Sequence, residues 1–143
     1  MSHHKTAEML FHLMPLLDRK FIRPVAHHFK PQLTPIYLHA LSIVREKKAT
    51  MTELSNEILL SKQQMTPIID KLVTEGFVQR EYDAIDRRII RISITSSGLQ
   101  LCEHAKEQTI KILQHKLECL NEKDLISLNN VINELSRIAH KMP

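Results

Sequence analysis

The sequence predicts a mainly α-helical fold with one small β-hairpin, and three observations support this prediction. Apolar residues recur at helical spacing over most of the 143-residue chain. Residues 89–95 instead alternate between apolar and polar side chains, as a half-buried strand does. The only two glycines, Gly76 and Gly98, frame the segment that contains this strand. The size and the 43% apolar composition fit one domain, or one small domain with helical extensions.

Proline and threonine place the first helices. Residues 5–29 are predicted to form a helix that Pro15 and Pro24 break or bend. Thr34 is a favourable N-cap residue, and Pro35 would then occupy the first helical position, where its fixed φ angle suits a helix start. A second helix is therefore predicted to begin at this pair.

Two more helices lead up to the hairpin. Thr50 or Thr52 is predicted to cap a short helix over residues 53–59. Ser61 is predicted to cap the next helix, which ends at Gly76 because glycine is favoured just beyond a helix end. Two tandem helices followed by a hairpin predict a helix-turn-helix with a wing.

The hairpin is predicted to have strands over residues 77–82 and 89–95. Alternate side chains of the second strand share one face, with isoleucine at 90, 92 and 94 on one side and Arg91, Ser93 and Thr95 on the other. The tip, residues 83–88, carries Arg87 and Arg88 beside two aspartates. Arginines that a hairpin holds outward suit contact with phosphate or with a groove.

The helices after the hairpin predict association between chains. Ser96 or Ser97 is predicted to open a helix that reaches about residue 120, and a last helix is predicted over residues 123–141. Apolar side chains recur along both helices at heptad-like spacing, at Ile110, Leu113, Leu117 and Leu120 and then at Leu125, Leu128, Ile132, Leu135 and Ile138. Helices this apolar and elongated would not be stable alone, so we expect a homodimer that buries them.

Composition limits the partners and the compartment. The formal net charge of +4 and the pI of about 9.2 favour an anionic partner. An aromatic content of 4%, with no tryptophan, disfavours a single-strand binder that works by stacking bases. The sequence lacks an apolar run long enough for a membrane span and lacks a signal peptide, so we expect a cytoplasmic protein with no membrane partner. Cys102 and Cys119 are expected to be reduced thiols.

Four stretches of the chain resemble the MarR family of bacterial winged-helix transcriptional regulators. They are LTPIYLHALSIV (33–44), MTELSNEI (51–58), SKQQMTPIIDKLVTEGFVQRE (61–81) and DRRIIRISITSSG (86–98). The most specific motif is the Asp-x-Arg tip, followed by a strand that ends in threonine and by a glycine just beyond it. The outer helices match in length and position.

The resemblance implies three parts with distinct roles. Residues 1–32 would form an N-terminal dimerisation helix, residues 33–98 a winged helix-turn-helix that binds double-stranded DNA, and residues 99–143 C-terminal dimerisation helices. The fold would then be a homodimer whose N- and C-terminal helices interdigitate. Such proteins usually repress transcription at a pseudo-palindromic operator, and they often release DNA when a small-molecule effector or an oxidant arrives.

The helix after Ser61 is the candidate recognition helix. Its first turns carry Ser61, Lys62, Gln63, Gln64 and Thr66. A glutamine can bond bidentately to adenine in the major groove, so the two glutamines are predicted to read bases. The other three are predicted to contact phosphate, which positions a protein without specifying sequence. A solvated, capped helix start would account for the same residues.

The wing tip is the second candidate DNA contact. By the family pattern, Arg88 would read a narrow minor groove, Arg87 would reach a phosphate or the groove edge, and Asp86 would orient the arginine. An exposed turn with paired charges is the alternative interpretation.

An effector pocket is expected where the dimerising helices meet the winged domain. His12, Phe29, Tyr37 and Leu41 are candidates to line it, although the same residues serve equally well as core. No cofactor and no metal site is predicted, because the nine histidines do not show ligand spacing.

Three other functions remain to be weighed against DNA binding. A cysteine redox switch would need a depressed thiol pKa and solvent access. A winged fold that only binds protein would show no salt-dependent affinity for DNA. An enzyme is disfavoured, since the sequence has no Gly-rich phosphate loop and no nucleophile motif.

Overall fold

The computed structural model describes residues 2–29 and 33–143. Its elements are α1 (His3–Leu17), a π-helical turn (Asp18–Ile22), α2 (Arg23–Phe29), α3 (Pro35–Glu46), β1 (Ala49–Thr50), α4 (Met51–Ile58), α5 (Lys62–Thr74), β2 (Val78–Tyr82), β3 (Ile90–Ile94), α6 (Ser96–Leu117) and α7 (Glu122–Ala139). The chain divides into two compact units, residues 1–109 and residues 110–143. The second unit contains the end of α6 and all of α7. The predicted boundary at residue 32 lies outside the described residues.

The predicted fold class is confirmed, with one strand more than expected. The three strands form an antiparallel sheet in the order β1-β3-β2. In the hairpin, Val78 pairs with Ile94 and Tyr82 pairs with Ile90. The added strand β1 pairs Ala49 with Ile92. The predicted hairpin is therefore confirmed. The strand β1 was missed, because two residues are too few to show an alternating pattern.

The core of the first unit joins the helix-turn-helix to the sheet. Buried apolar side chains come from α3, all three strands, α4 and α5, and they are Ala40, Leu41, Val44, Ala49, Leu54, Met65, Ile69, Leu72, Val78 and Ile92. By contrast, no residue of α1 or α7 is fully buried. The winged helix-turn-helix therefore has its own core.

The alternation expected for β3 is only partly observed. Ile92 is fully buried, as expected for the core face. Ser93 is also buried, although the pattern of a half-buried strand places it on the opposite, exposed face. Its hydroxyl donates to Glu81 Oε1 at 3.0 Å. Burial of a serine is tolerated here because the hydroxyl has this partner.

The N-terminal segment is helical throughout residues 3–29, and the helix does not end at either of its prolines. Pro15 lies inside α1, and Pro24 is the second residue of α2. The interruption lies between them, in the π-helical turn Asp18–Ile22. Neither proline therefore ends the helical segment, and the alternative expectation, that the prolines bend it, stays a prediction.

Most predicted helix starts are confirmed. Thr34 is the N-cap of α3, and the Thr50 hydroxyl accepts a hydrogen bond from the backbone N–H of Glu53 at 3.2 Å. The turn before α5 contains Leu59 with a φ of 63°, a left-handed conformation that is uncommon for leucine. Gly76, just beyond α5, has a φ of 81°, which explains the choice of glycine.

The start of α6 differs from the prediction. Thr95, rather than Ser96 or Ser97, supplies the cap, because its hydroxyl accepts from the backbone N–H of Gly98 at 3.1 Å. The same hydroxyl donates to the carbonyl oxygen of Gly76 at 2.6 Å. Thr95 thus joins the two glycines that frame the hairpin.

Gly98 is required by close packing. A Cβ atom built on Gly98 would lie 2.1 Å from the carbonyl oxygen of Phe77 and 2.6 Å from Ile94 Cγ1. A Cβ on Gly76 would meet nothing within 4 Å. The two glycines therefore serve different purposes, since one makes room and the other supplies a positive φ.

We predict that Gly98→Ala lowers the free energy of unfolding by about 2 kcal/mol or more, because a backbone oxygen must move. Urea denaturation followed by circular dichroism measures this change. Gly76→Asn is the control. It should lower the free energy of unfolding by less than Gly98→Ala does, since asparagine tolerates the left-handed region. An unchanged or more stable Gly98→Ala variant would contradict this packing argument.

Candidate DNA-binding surface

The start of α5 is held by a reciprocal pair of hydrogen bonds. The Ser61 hydroxyl accepts from the backbone N–H of Gln64 at 3.1 Å, and Gln64 Oε1 accepts from the backbone N–H of Ser61 at 2.9 Å. This is a capping box, which satisfies two backbone donors at the helix start. Lys62 and Gln63 are exposed on the same turn.

The capping box bears on which glutamine could read a base. A bidentate contact with adenine uses both the oxygen and the nitrogen of the amide. In Gln64 the oxygen already accepts from Ser61, so a base would have to share that oxygen with the cap or displace it. Thr66 is similarly engaged, because its hydroxyl donates to the carbonyl oxygen of Lys62 at 2.9 Å. Gln63 is therefore the better candidate for base contact.

The wing tip holds Arg88 in one orientation. Asp86 Oδ1 accepts from the backbone N–H and from Nε of Arg88, and Oδ2 accepts from Nη2, each at 3.1 Å. This pairing lowers the pKa of the Asp86 carboxyl and raises the pKa of Arg88. The Arg88 side chain is nevertheless 91% exposed. Asp86 thus orients an arginine that projects into solvent, and Arg87 beside it is also exposed.

A second aspartate, which sequence reasoning passed over, organises the tip. Asp83 Oδ2 accepts from the backbone N–H groups of Ile85 and Asp86 at 3.1 Å and 2.9 Å. Asp83 Oδ1 accepts from Arg91 Nη1 at 2.5 Å. The N–H of Asp86, then Arg91 and the N–H of Ile85, lower the pKa of the Asp83 carboxyl. An aspartate that bonds backbone two residues on is a known turn signal, and it would have identified Asp83.

An ion pair joins α5, the candidate recognition helix, to the wing. Arg80 on β2 donates through Nη2 to Asp70 Oδ1 on α5. Both elements also contribute to the core, through Ile69 and Val78 for example. The position of the wing relative to the recognition helix is therefore set by packing and by a charge-assisted hydrogen bond.

The outer face of the sheet carries a polar cluster around Glu81. Glu81 accepts from Lys48 Nζ at 2.6 Å, from the Ser93 hydroxyl at 3.0 Å and from Gln79 Nε2 at 3.1 Å. Lys48 is the strongest of the contacts that lower the pKa of the Glu81 carboxyl. The cluster ties the residue before β1 to both strands of the wing.

Comparison with known proteins identifies this arrangement. The MarR family matches residues 33–90, which include α3, α4, α5 and the wing tip. Residues 33–90 of this chain are thus similar to the MarR family. A transcriptional regulator described as HTH-type, SarZ of Staphylococcus haemolyticus, is 24% identical over 134 residues, covering 92% of this chain and 88% of that protein.

Solved structures share the fold of this chain. The transcriptional regulator BldR of Sulfolobus solfataricus is 26% identical and superposes with a TM-score of 0.67, covering 96% of this chain and 99% of that one. A MarR family protein of Bacillus stearothermophilus is 20% identical, with a TM-score of 0.77 over 98% of this chain and 99% of that one.

The four residues predicted to line an effector pocket have different surroundings. Leu41 is fully buried in the core. Tyr37 is half-buried on α3, and Lys71 Nζ lies 4.8 Å from the centre of its ring. His12 is exposed on α1, and half-buried Phe29 lies at the end of α2. An effector role for these residues stays a prediction.

The two cysteines have different surroundings. Burial raises the pKa of the Cys102 thiol, which disfavours the reactive thiolate. Cys119 is exposed, and its thiol donates to the carbonyl oxygen of Lys116 at 3.2 Å.

Within residues 2–29 and 33–143, no three His, Cys, Asp or Glu side chains group as metal ligands would. In the same ranges, no helix combines the length and the apolar character of a membrane span.

We predict that the wing-tip turn around Asp83 persists well into acid. The folded-state pKa of Asp83 is lowered, so the carboxylate's contribution is complete above the ordinary aspartate pKa of about 3.9 and is lost as the pH falls through the lower folded value. The amide chemical shifts of Ile85 and Asp86, followed by NMR during acid titration, report this midpoint. The Asp83→Asn variant should show no such midpoint, because the amide side chain does not titrate. A wild-type midpoint at or above the ordinary value would contradict the assignment.

Proposed function

We propose that this chain is a sequence-specific repressor of the MarR family that binds a pseudo-palindromic operator as a homodimer. The observation that best supports the proposal is the pairing of a capped recognition helix with an arginine-bearing wing. The two are joined by Arg80 and Asp70 within one core. A rigid two-part surface of this kind suits simultaneous contact with two adjacent grooves of a DNA duplex.

The proposed major-groove contact is made by the first turns of α5. A major groove about 12 Å wide admits a helix, and residues near the N-terminus of that helix meet the base edges. In this proposal, Gln63 reads a base, whereas Lys62 and Ser61 contact phosphates. Thr66 would reach a phosphate only by giving up its hydrogen bond to the carbonyl oxygen of Lys62. Gln64 stabilises the helix start through its bond to Ser61.

The proposed minor-groove contact is made by the wing. A narrow A·T-rich minor groove concentrates negative potential, which attracts arginine. Asp86 holds the Arg88 guanidinium through two parallel hydrogen bonds, so little side-chain freedom is left to lose on binding. Arg87 would contact a phosphate on the groove edge.

Fluorescence anisotropy tests the proposal by measuring the affinity of the protein for DNA from upstream of its own gene. A scrambled duplex is the reference, and both duplexes are measured over a series of salt concentrations. We expect Arg88→Ala to weaken binding about tenfold or more and to reduce the salt slope by about one, without lowering the melting temperature. Gln63→Ala should relax base preference at one position, since a bidentate pair is lost. Gln64→Ala should mainly reduce stability, because it removes half of the capping box.

Arg137→Ala is the matched control, since Arg137 on α7 is likewise paired with a nearby carboxylate, that of Glu134. Its affinity should equal that of the wild type. Absence of binding to either duplex at low salt would overturn the proposal and favour a winged fold that binds protein.

The homodimer proposal is supported by the apolar surfaces of the outer helices. Helix α1 exposes Met9, Leu10, Phe11, Leu13, Met14 and Leu16. Helix α7 exposes Leu125, Ile126, Val131, Ile132, Leu135 and Ile138. Exposed apolar side chains in such numbers mark an interaction surface rather than an ordinary protein surface. A second copy of the chain, related by a twofold axis, would cover both and would present two wings to DNA about one helical turn apart, roughly 10 bp.

We predict that Ile132→Lys converts the dimer into a monomer and weakens operator binding, because the apolar stripe of α7 would then carry a charge that must be desolvated. Sedimentation velocity measures the mass of each species. Asn130→Lys, on a polar position of the same helix, is the control and should leave the dimer intact. A wild-type chain that sediments as a monomer would contradict the homodimer.

We further propose that a small-molecule effector weakens operator binding. This part rests on the behaviour of the family, and its test is a screen for compounds that release the labelled operator. Release by mild peroxide, abolished by Cys119→Ser, would favour oxidant sensing instead.

A further inference from the structure

The apex of the wing carries an apolar side chain that the fold does not use. Ile85 is 97% exposed, more than any other large apolar residue of the described chain. Complete burial of an isoleucine side chain is worth about 1.5–3 kcal/mol. Such a side chain contributes to stability only when a partner covers it.

The backbone around Ile85 is well fixed. The N–H of Ile85 donates to Asp83 Oδ2 at 3.1 Å, and the neighbouring N–H of Asp86 donates to the same oxygen at 2.9 Å. The base of the loop is closed by the N–H of Asp83, which donates to the carbonyl oxygen of Ile89 at 2.9 Å. The loop therefore holds Ile85 at a set position, and contact with a partner would cost little backbone entropy.

The surroundings of Ile85 favour an anionic partner with an apolar interior. Arg87 and Arg88 follow it in the same loop, both exposed, and Arg88 is held by Asp86. The minor groove of DNA has this character, because phosphates line its rims while sugar and base C–H groups form its walls and floor. Apolar side chains of other minor-groove proteins make contacts of this type.

We propose that Ile85 is a specificity-determining residue that packs into the minor groove beside Arg88 and disfavours G·C pairs. Guanine places an exocyclic N2 amino group in the minor groove, whereas A·T pairs present only acceptors there. The amino group projects from the groove floor and needs an acceptor, which isoleucine cannot supply, so the donor would be buried without a partner. Arg88 can donate to the acceptors of A·T pairs. This inference rests on the proposed function, since it assumes that the wing meets DNA.

The test adds the N2 amino group without changing the major groove. The probe is the duplex that the wild-type protein enriches from a random-sequence pool, with single adenines replaced by 2,6-diaminopurine. We expect the replacement under the wing to weaken wild-type binding about tenfold. Ile85→Thr, which keeps the β-branched shape and adds a hydroxyl acceptor, should lose most of this discrimination. Ile85→Val should retain it.

Ala84→Thr, at the neighbouring exposed position, is the matched control and should discriminate as the wild type does. Equal sensitivity of the wild type and Ile85→Thr to the added amino group would overturn the inference, while leaving the proposed function intact. The inference is also overturned if Ile85→Thr binds every duplex with the affinity of the wild type. That result would point to a protein partner for the apex of the wing. If no duplex is enriched at all, the proposed function fails, and the inference fails with it.

Discussion

The hydroxyl of Thr95 makes the connection that joins α5, the wing and the start of α6. It donates to the carbonyl of Gly76, just beyond α5, and accepts from the N–H of Gly98, in the first turn of α6. The backbone N–H of Thr95 also donates to the carbonyl of Phe77 at 3.1 Å. Helix α5, the wing and α6 therefore meet at Thr95. Any displacement of the hairpin base would disturb all three, which explains why a close-packed glycine lies there.

Local signals in the sequence were sufficient to predict much of the fold. Ser61, Gly76 and the alternating isoleucines act through their immediate neighbours, so they could be recognised without knowledge of the tertiary structure. The strand β1 could not be recognised in this way, because its two residues are defined only by pairing with the distant strand β3. The same reason applies to Ser93, whose burial depends on Glu81 in the partner strand.

The candidate site was predictable in its residue types and less so in its internal bonding. The arginines of the tip and the polar start of α5 stand out in the sequence. The capping box involving Gln64 was not anticipated, because Ser-x-x-Gln was interpreted for base contact rather than for helix stability. The Arg80–Asp70 pair depends on how β2 packs against α5, which no local pattern specifies. Whether these residues contact DNA stays a prediction.

The closed turn around Asp83 has a consequence for how such wings vary. Its bonds join Asp83 to Ile85, Asp86 and Arg91, so they depend on the spacing between these residues. Insertion or deletion of a single residue between Asp83 and Asp86 would misalign the carboxylate with its backbone donors, and a length change between Asp86 and Arg91 would displace the arginine from it. Homologues should therefore diversify this loop by exchanging side chains at constant length. A protein engineer who grafts this wing onto another scaffold would need to move residues 83–91 as one block.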